Sequence, residues 1–285
     1  MSEFTWTGKR LILGPGLLEY KMPIVKIAHG PDINLVRTGP VGGVPIVFIH
    51  ALGLDLTLWE HQFQEFGRDH DVVAFDLPGH GLSGGMDAPP TFASMARVAA
   101  GVLRYLNAGP VHLVGLSVGG MIAQTLAVTS PEMVRSLSLV ATSCTFPDTV
   151  RKVIRERARV TREGGMEAIV PLHLERWFPP DFRTRRPDML DRMGKILFRQ
   201  NKEFHAAMWD MVVTLDVEQG LSALTCPVLV VAGEDDLSAS PAAGQLIVNQ
   251  IDAATLQVMP GSGHFPPLEC PEVFNALLRS FLGRA

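Results

Sequence analysis

Ser117 sits inside Gly115-Leu116-Ser117-Val118-Gly119, a short apolar run precedes it over 111–114, and a helix-like run comes after it over 120–129. A serine at a sharp turn between a strand and a helix is held clear of the sheet, where a base can reach its hydroxyl. The flanking glycines are required because a side chain at either would crowd neighbouring backbone. The plain alternative, a serine in an ordinary tight turn, is weakened by that strand and helix and by residues further along the chain. An alcohol is a poor nucleophile at neutral pH. It needs a base within hydrogen-bond reach, and the base needs an orienting acid.

Candidates for both lie downstream in the order such a turn requires. The apolar run 228–232 ends at Gly233-Glu234-Asp235-Asp236. Asp236 is the favoured acid, with Asp235 as the alternative; Glu234 and Asp235 read as a solvated acidic turn. After the last strand-like run comes Gly261-Ser262-Gly263-His264-Phe265. Any one of the nine histidines is by default structural, but His264 occupies the loop where a base belongs. Two backbone N–H groups must hold the charge that develops on an attacked carbonyl oxygen. Val118, next to the serine, offers one. The loop His50-Ala51-Leu52-Gly53 offers the other, from Leu52 first and Ala51 second. His50 reads as a brace for that loop, and Asp76 and His80, in Asp76-Leu77-Pro78-Gly79-His80-Gly81-Leu82-Ser83, as turn structure rather than catalysis. This chemistry calls for no cofactor and no metal.

The elements that must position these groups can be read from the apolar pattern. Strands are expected over 24–28 and 33–37 as an antiparallel pair, then at 45–50, 72–75, 111–114, 136–140, 227–232 and 255–259; helices are expected over 56–66, 92–106, 120–129, 241–250 and 271–282. Such alternation implies an α/β fold with a mostly parallel sheet covered by helices on both faces. From 148 to about 214 the chain is helical and charge-rich, which reads as an inserted helical cap over the carboxyl ends of the strands, where ligands of such sheets bind. The resulting division is a core over 1–146 with an N-terminal extension at 1–22, a cap over 147–217, and the rest of the core over 218–285.

Composition excludes little beyond this. The chain has 285 residues, 47% hydrophobic and 19% charged, with net charge −4; nothing suggests nucleic acid. Cys144, Cys226 and Cys270 are scattered and odd in number, as expected of free thiols in a reducing compartment. There is no basic segment followed by an apolar stretch at the start, and no apolar run of membrane-spanning length. The expectation is a cytoplasmic protein without membrane or nucleic-acid partners.

The 50–53 loop with Trp59, the 76–83 loop, the serine turn, the acid turn and the Gly263-His264 loop together resemble the α/β-hydrolase superfamily. The resemblance covers nearly all of 24–283. It implies an eight-stranded sheet and the triad Ser117, Asp236 and His264, and it sets aside dehalogenases and epoxide hydrolases, which need a carboxylate at 117. Within the superfamily, His50-Ala51-Leu52-Gly53-Leu54-Asp55, Gly115 to Met121, and Gly164-Gly165-Met166-Glu167-Ala168 leading to Glu175-Arg176-Trp177-Phe178 resemble 3-oxoadipate enol-lactonases and related esterases. That likeness implies hydrolysis of an unsaturated lactone. Ala51 and Leu54 depart from it where serine and a smaller polar residue are common, and the apolar arm of 1–22 extends beyond it; packing on the cap, packing on a second subunit and partial disorder are the alternatives for that arm.

Residues 151–202 hold fourteen Lys and Arg against seven Asp and Glu, a local net of +7. Such a run is usually a solvated helix face, yet it can also steer an anion or hold its carboxylate. Arg176 is the first candidate for that role. Trp177, Phe178, Trp209, Phe146 and Met121 are candidates for an apolar pocket, each weighed against simple core packing. Three functions remain open: a cofactor-free serine hydrolase of a small ester or lactone, with or without a carboxylate of its own; a carbon–carbon bond hydrolase or lyase using the same triad; and a ligand receptor on a hydrolase scaffold.

Overall fold

The computed structural model describes residues 22–285 except His29 in full, and the backbone of 6–7, 10–13 and 18–21. Strands β1 (Trp6–Thr7), β2 (Arg10–Leu13) and β3 (Leu18–Lys21) form a separate antiparallel sheet. The alternating pattern did not foretell them, and the alternatives for the N-terminal arm's side chains lie outside the described residues.

The main sheet has eight strands. They are β4 (Ile24–Lys26), β5 (Asp32–Thr38), β6 (Ile46–Ile49), β7 (Val72–Phe75), β8 (Val111–Leu116), β9 (Val134–Val140), β10 (Val228–Gly233) and β11 (Ala254–Met259), in the spatial order β11-β10-β9-β8-β6-β7-β5-β4. β4 pairs antiparallel with β5 and β5 antiparallel with β7; every other pairing is parallel. Buried on both faces, β6 to β8 are apolar almost throughout, as a parallel sheet demands. The two-residue period sends Val47 and Ile49 of β6 into one core and Ile46 and Phe48 into the other.

Helices α1 (Glu60–Phe66), α2 (Phe92–Leu106), α3 (Val118–Thr129) and later α11 (Pro271–Leu282) pack on these faces. The helix expected over 56–66 is divided. A 3-10 turn at Leu56–Trp59 precedes α1, because the Asp55 carboxylate caps Thr57 N–H at 3.0 Å. Between β9 and β10 come α4 (Asp148–Trp177), α5 (Pro180–Arg185), α6 (Pro187–Phe198), α7 (Lys202–Val213) and α8 (Glu218–Leu221). α4 is two limbs joined at Gly165, whose φ of 70° and ψ of −169° only glycine adopts without strain. Two short helices, α9 (Pro241–Val248) and α10 (Pro266–Glu269), complete the chain. No helix among the described residues is long and apolar enough to cross a membrane.

Candidate active site

β8 runs straight into α3 through Ser117, whose φ of 55° and ψ of −118° belong to a sparsely populated backbone region. Such a conformation costs about 1–3 kcal/mol and persists only where its surroundings dictate it. Here Ser117 N–H donates to Val140 O at 2.9 Å, and its carbonyl accepts from Thr142 Oγ1 at 2.7 Å and Met121 N–H at 3.1 Å. The turn lies so close to β6 that a Cβ on Gly119 would come within 2.7 Å of His50 O, and one on Gly115 within 2.6 Å of the Gly119 carbonyl carbon. The crowding expected from the two glycines is therefore present.

Beyond β10, Asp236 is buried and fully engaged. Its Oδ1 accepts from Ser238 N–H at 2.6 Å and Ala239 N–H at 3.1 Å, and its Oδ2 lies 2.8 Å from His264 Nδ1. A carboxylate so held requires the hydrogen on Nδ1 and leaves the His264 Nε2 lone pair available. Asp235 takes no part: its carboxylate has no hydrogen bond among the described residues. Nothing in the sequence pointed to what holds the His264 loop. Glu269, on α10, accepts from Gly263 N–H at 2.8 Å and from Phe265 N–H at 2.7 Å, gripping the chain on either side of the histidine. Burial pushes the Glu269 carboxyl up to about 7, against the pull of those two donors. His264 N–H also donates to Trp177 O at 2.8 Å, tying the loop to the end of α4.

Ser117 and His264 line one cavity of about 50 Å³. Ala51 and Leu52 border it as well. The N–H groups of Leu52 and Val118 are buried and make no hydrogen bond among the described residues. Buried backbone donors without partners are rare enough to mark a place for an oxygen that arrives with a ligand. Gly53 N–H, next in the loop, is already committed to His80 Nε2 at 3.0 Å. His50 braces the loop as expected, with Nδ1 donating to Ala51 O at 2.8 Å and Nε2 accepting from Leu77 N–H at 2.9 Å.

Met121, Phe146, Arg176, Trp177 and Trp209 line the same cavity. Phe178 does not. It stacks on Phe182 and Phe265, with centroids 5.1 and 5.3 Å apart, because it comes just after the last turn of α4 and faces the core beneath the His264 loop. Arg157, Ser143 and Ser238 also line the cavity and had no distinguishing sequence signal. Trp177 connects two sets of rings, stacking on His173 at 4.9 Å and lying 6.3 Å from His264. Chemically, the cavity brings together a hydroxyl and an imidazole with a free ring nitrogen, walled by Leu52, apolar rings and two guanidinium groups; Val118, whose N–H is free, adjoins Ser117 in the chain without lining the cavity.

A model described as alpha/beta hydrolase family matches residues 46–277. The chain is 27% identical to 3-oxoadipate enol-lactonase 2 of Acinetobacter baylyi, over 90% of this chain and 95% of that protein. It is 26% identical to the (E)-2-((N-methylformamido)methylene)succinate hydrolase of the same organism, over 84% and 90% of the two chains. The solved structure of the enol-lactonase from Burkholderia xenovorans superposes with a TM-score of 0.86 at 25% identity, over 92% of this chain and 100% of that one. The sheet order, the strained turn after β8 and these similarities lead to one conclusion: the chain belongs to the alpha/beta hydrolase family and is a hydrolase.

Proposed function

We propose that the chain hydrolyses a small carboxylic ester or lactone through an acyl-enzyme. Ser117 is the nucleophile, His264 the base and Asp236 the acid that orients it, under a cap formed by 147–217. The observation that carries this reading is the Asp236–His264 hydrogen bond of 2.8 Å, with the histidine facing the cavity that Ser117 also lines. His264 Nε2 takes the hydroxyl proton as Ser117 Oγ attacks the carbonyl carbon. The oxyanion that forms accepts from Leu52 and Val118 N–H. His264 then gives its proton to the departing alkoxide, or to the ring-opened oxygen of a lactone, and an attacking water repeats the cycle to release the acid. Such oxyanion donors are typically worth about 3–4 kcal/mol of barrier each.

The enol-lactonase relatives favour a lactone. The relative named for a formamido-succinate favours a second reading, in which the same groups cleave a carbon–nitrogen bond. Three free thiols suit a reducing, cytoplasmic setting. Steady-state rates on a panel of lactones, esters and amides separate the two readings. Ser117→Ala is expected to lower kcat on the best of them by about 10⁴-fold or more; a variant of undiminished rate would refute the proposal.

A further inference from the structure

Part of the basic cap is neutralised locally. Arg159 pairs with Glu156 and Glu163, Arg162 with Asp210, Arg186 with Asp188, Lys195 with Asp191 and Arg192 with Glu60. Arg151 donates to the carbonyls of Val213 and Leu215. Arg157 and Arg176, like Lys152, Arg155, Arg183, Arg185 and Arg199, make no ion pair with a carboxylate among the described residues, but of the cap's Lys and Arg residues these two line the cavity that holds Ser117. Arg157 lies over the Trp209 ring, 5.0 Å from its centroid, and Arg176 Nε donates to Ser238 Oγ at 3.1 Å. Nineteen residues apart in sequence, they lie on the two limbs of α4, and the bend at Gly165 brings both to one wall.

That wall has two sides. Arg157 and Arg176 line the inner cavity with Ser117, and they also line an outer groove of about 390 Å³ with Val153, Leu172 and Leu237. The inner cavity, at about 50 Å³, is far below the roughly 300 Å³ of ordinary ligand sites. The groove on the other side of the two guanidinium groups offers the room that the inner cavity lacks. Burial and the neighbouring Arg176 push Arg157 down to about 10, still cationic at neutral pH; burial also lowers Arg176, against the opposing pull of the Asp236 carboxylate. Two half-buried guanidinium groups on one wall, neither in an ion pair, are suited to an anion. The carboxylates bordering the groove do not neutralise them, since Glu156 is held by Arg159 and Glu175 is exposed at the rim.

We propose that Arg157 and Arg176 together bind a carboxylate of the substrate, so that this hydrolase acts on monoanionic esters or lactones whose free carboxylate lies on the groove side of the scissile carbonyl. This rests on Ser117 being the nucleophile. It adds a second arginine and a substrate class to that reading.

The test uses matched pairs of monomethyl and dimethyl esters of C4 to C8 dicarboxylic acids, monitored by methanol release. The full-length enzyme is expected to favour the monoanion about tenfold or more in kcat/KM at one or more chain lengths. Arg157→Met and Arg176→Met should each lower the monoanion-to-diester ratio about 10–100-fold, mainly through KM, and Arg157→Lys should restore part of it. A wild-type enzyme preferring the neutral diester at every length, or variants that slow both esters equally, would overturn the proposal. If a variant fails to fold, the wild-type ratio decides alone. Labelling of Ser117 by a neutral phosphonate is scored in parallel. An unlabelled serine with a persisting monoanion preference would count against the nucleophile, not against the arginine pair.

Discussion

Two loop clusters beyond the carboxyl ends of the parallel strands each combine buried aspartate with buried histidine, and they do opposite things. In the first, Asp76 accepts from Asn34 Nδ2, Leu56 N–H and Leu82 N–H at 2.7 to 2.8 Å, while His50 and His80 have both ring nitrogens committed to backbone groups. Burial drives His50 down to about 4 and His80 to about 3, so both are neutral props. In the second, Asp236 commits His264 Nδ1 and nothing among the described residues takes Nε2; Ser117 Oγ and the N–H groups of Leu52 and Val118 are likewise uncommitted. Residue type does not separate a brace from a candidate reactive centre. The number of hydrogen-bonding positions left over does, together with a cavity that Ser117, His264 and Leu52 line.

The comparison can be broken by exchanging the fates of the two aspartates. Asp236→Asn should lower kcat by about 10⁴-fold with little change in unfolding midpoint, because the amide no longer requires hydrogen on Nδ1. Asp76→Ala should do the reverse. It leaves three donors without their acceptor, at about 1–3 kcal/mol for each one that stays buried, so stability falls by several kcal/mol while the folded fraction keeps kcat within about tenfold. Denaturant unfolding and steady-state rates on both variants check the pair; equal effects on rate would erase the distinction.

Glu269 sharpens it at a smaller scale. Its carboxyl rises from an ordinary value of 4.5 to about 7 in the folded protein. The folded state therefore binds the proton more tightly than the unfolded chain. Its contribution to stability is complete below pH 4.5 and is lost as pH rises through about 7, a change on the order of 3 kcal/mol. Asp76 is pushed in the same direction, to about 7, by burial and by the charge of Asp55. Glu269→Gln should therefore make the fall in stability between pH 5 and 8 shallower without abolishing it. Unfolding at four pH values measures the slope, and an unchanged slope would show that Glu269 does not carry it.

The sheet was legible because strands such as β6 and β8 are buried on both faces and need unbroken apolar runs. Ser117, Asp236 and His264 were legible as candidates because each ends or succeeds such a run in a fixed order. The Arg157 wall was not, since one arginine in a basic run looks like its neighbours until the bend at Gly165 selects the two facing the cavity. Glu269 was hidden for a similar reason: its partners are backbone groups, which carry no residue signature. Phe178 was assigned to the pocket beside Trp177, but adjacent residues at a helix end point different ways, and it joined the core.

The most direct measurement is reaction with an active-site phosphonate, with the adduct mapped by mass spectrometry. One adduct per chain is expected, on Ser117, forming with loss of hydrolysis and slowed at least about a hundredfold in His264→Ala. Hydrolysis that continues undiminished with Ser117 fully modified, or an inactivating adduct on any other residue, would contradict the assignment of Ser117 as nucleophile.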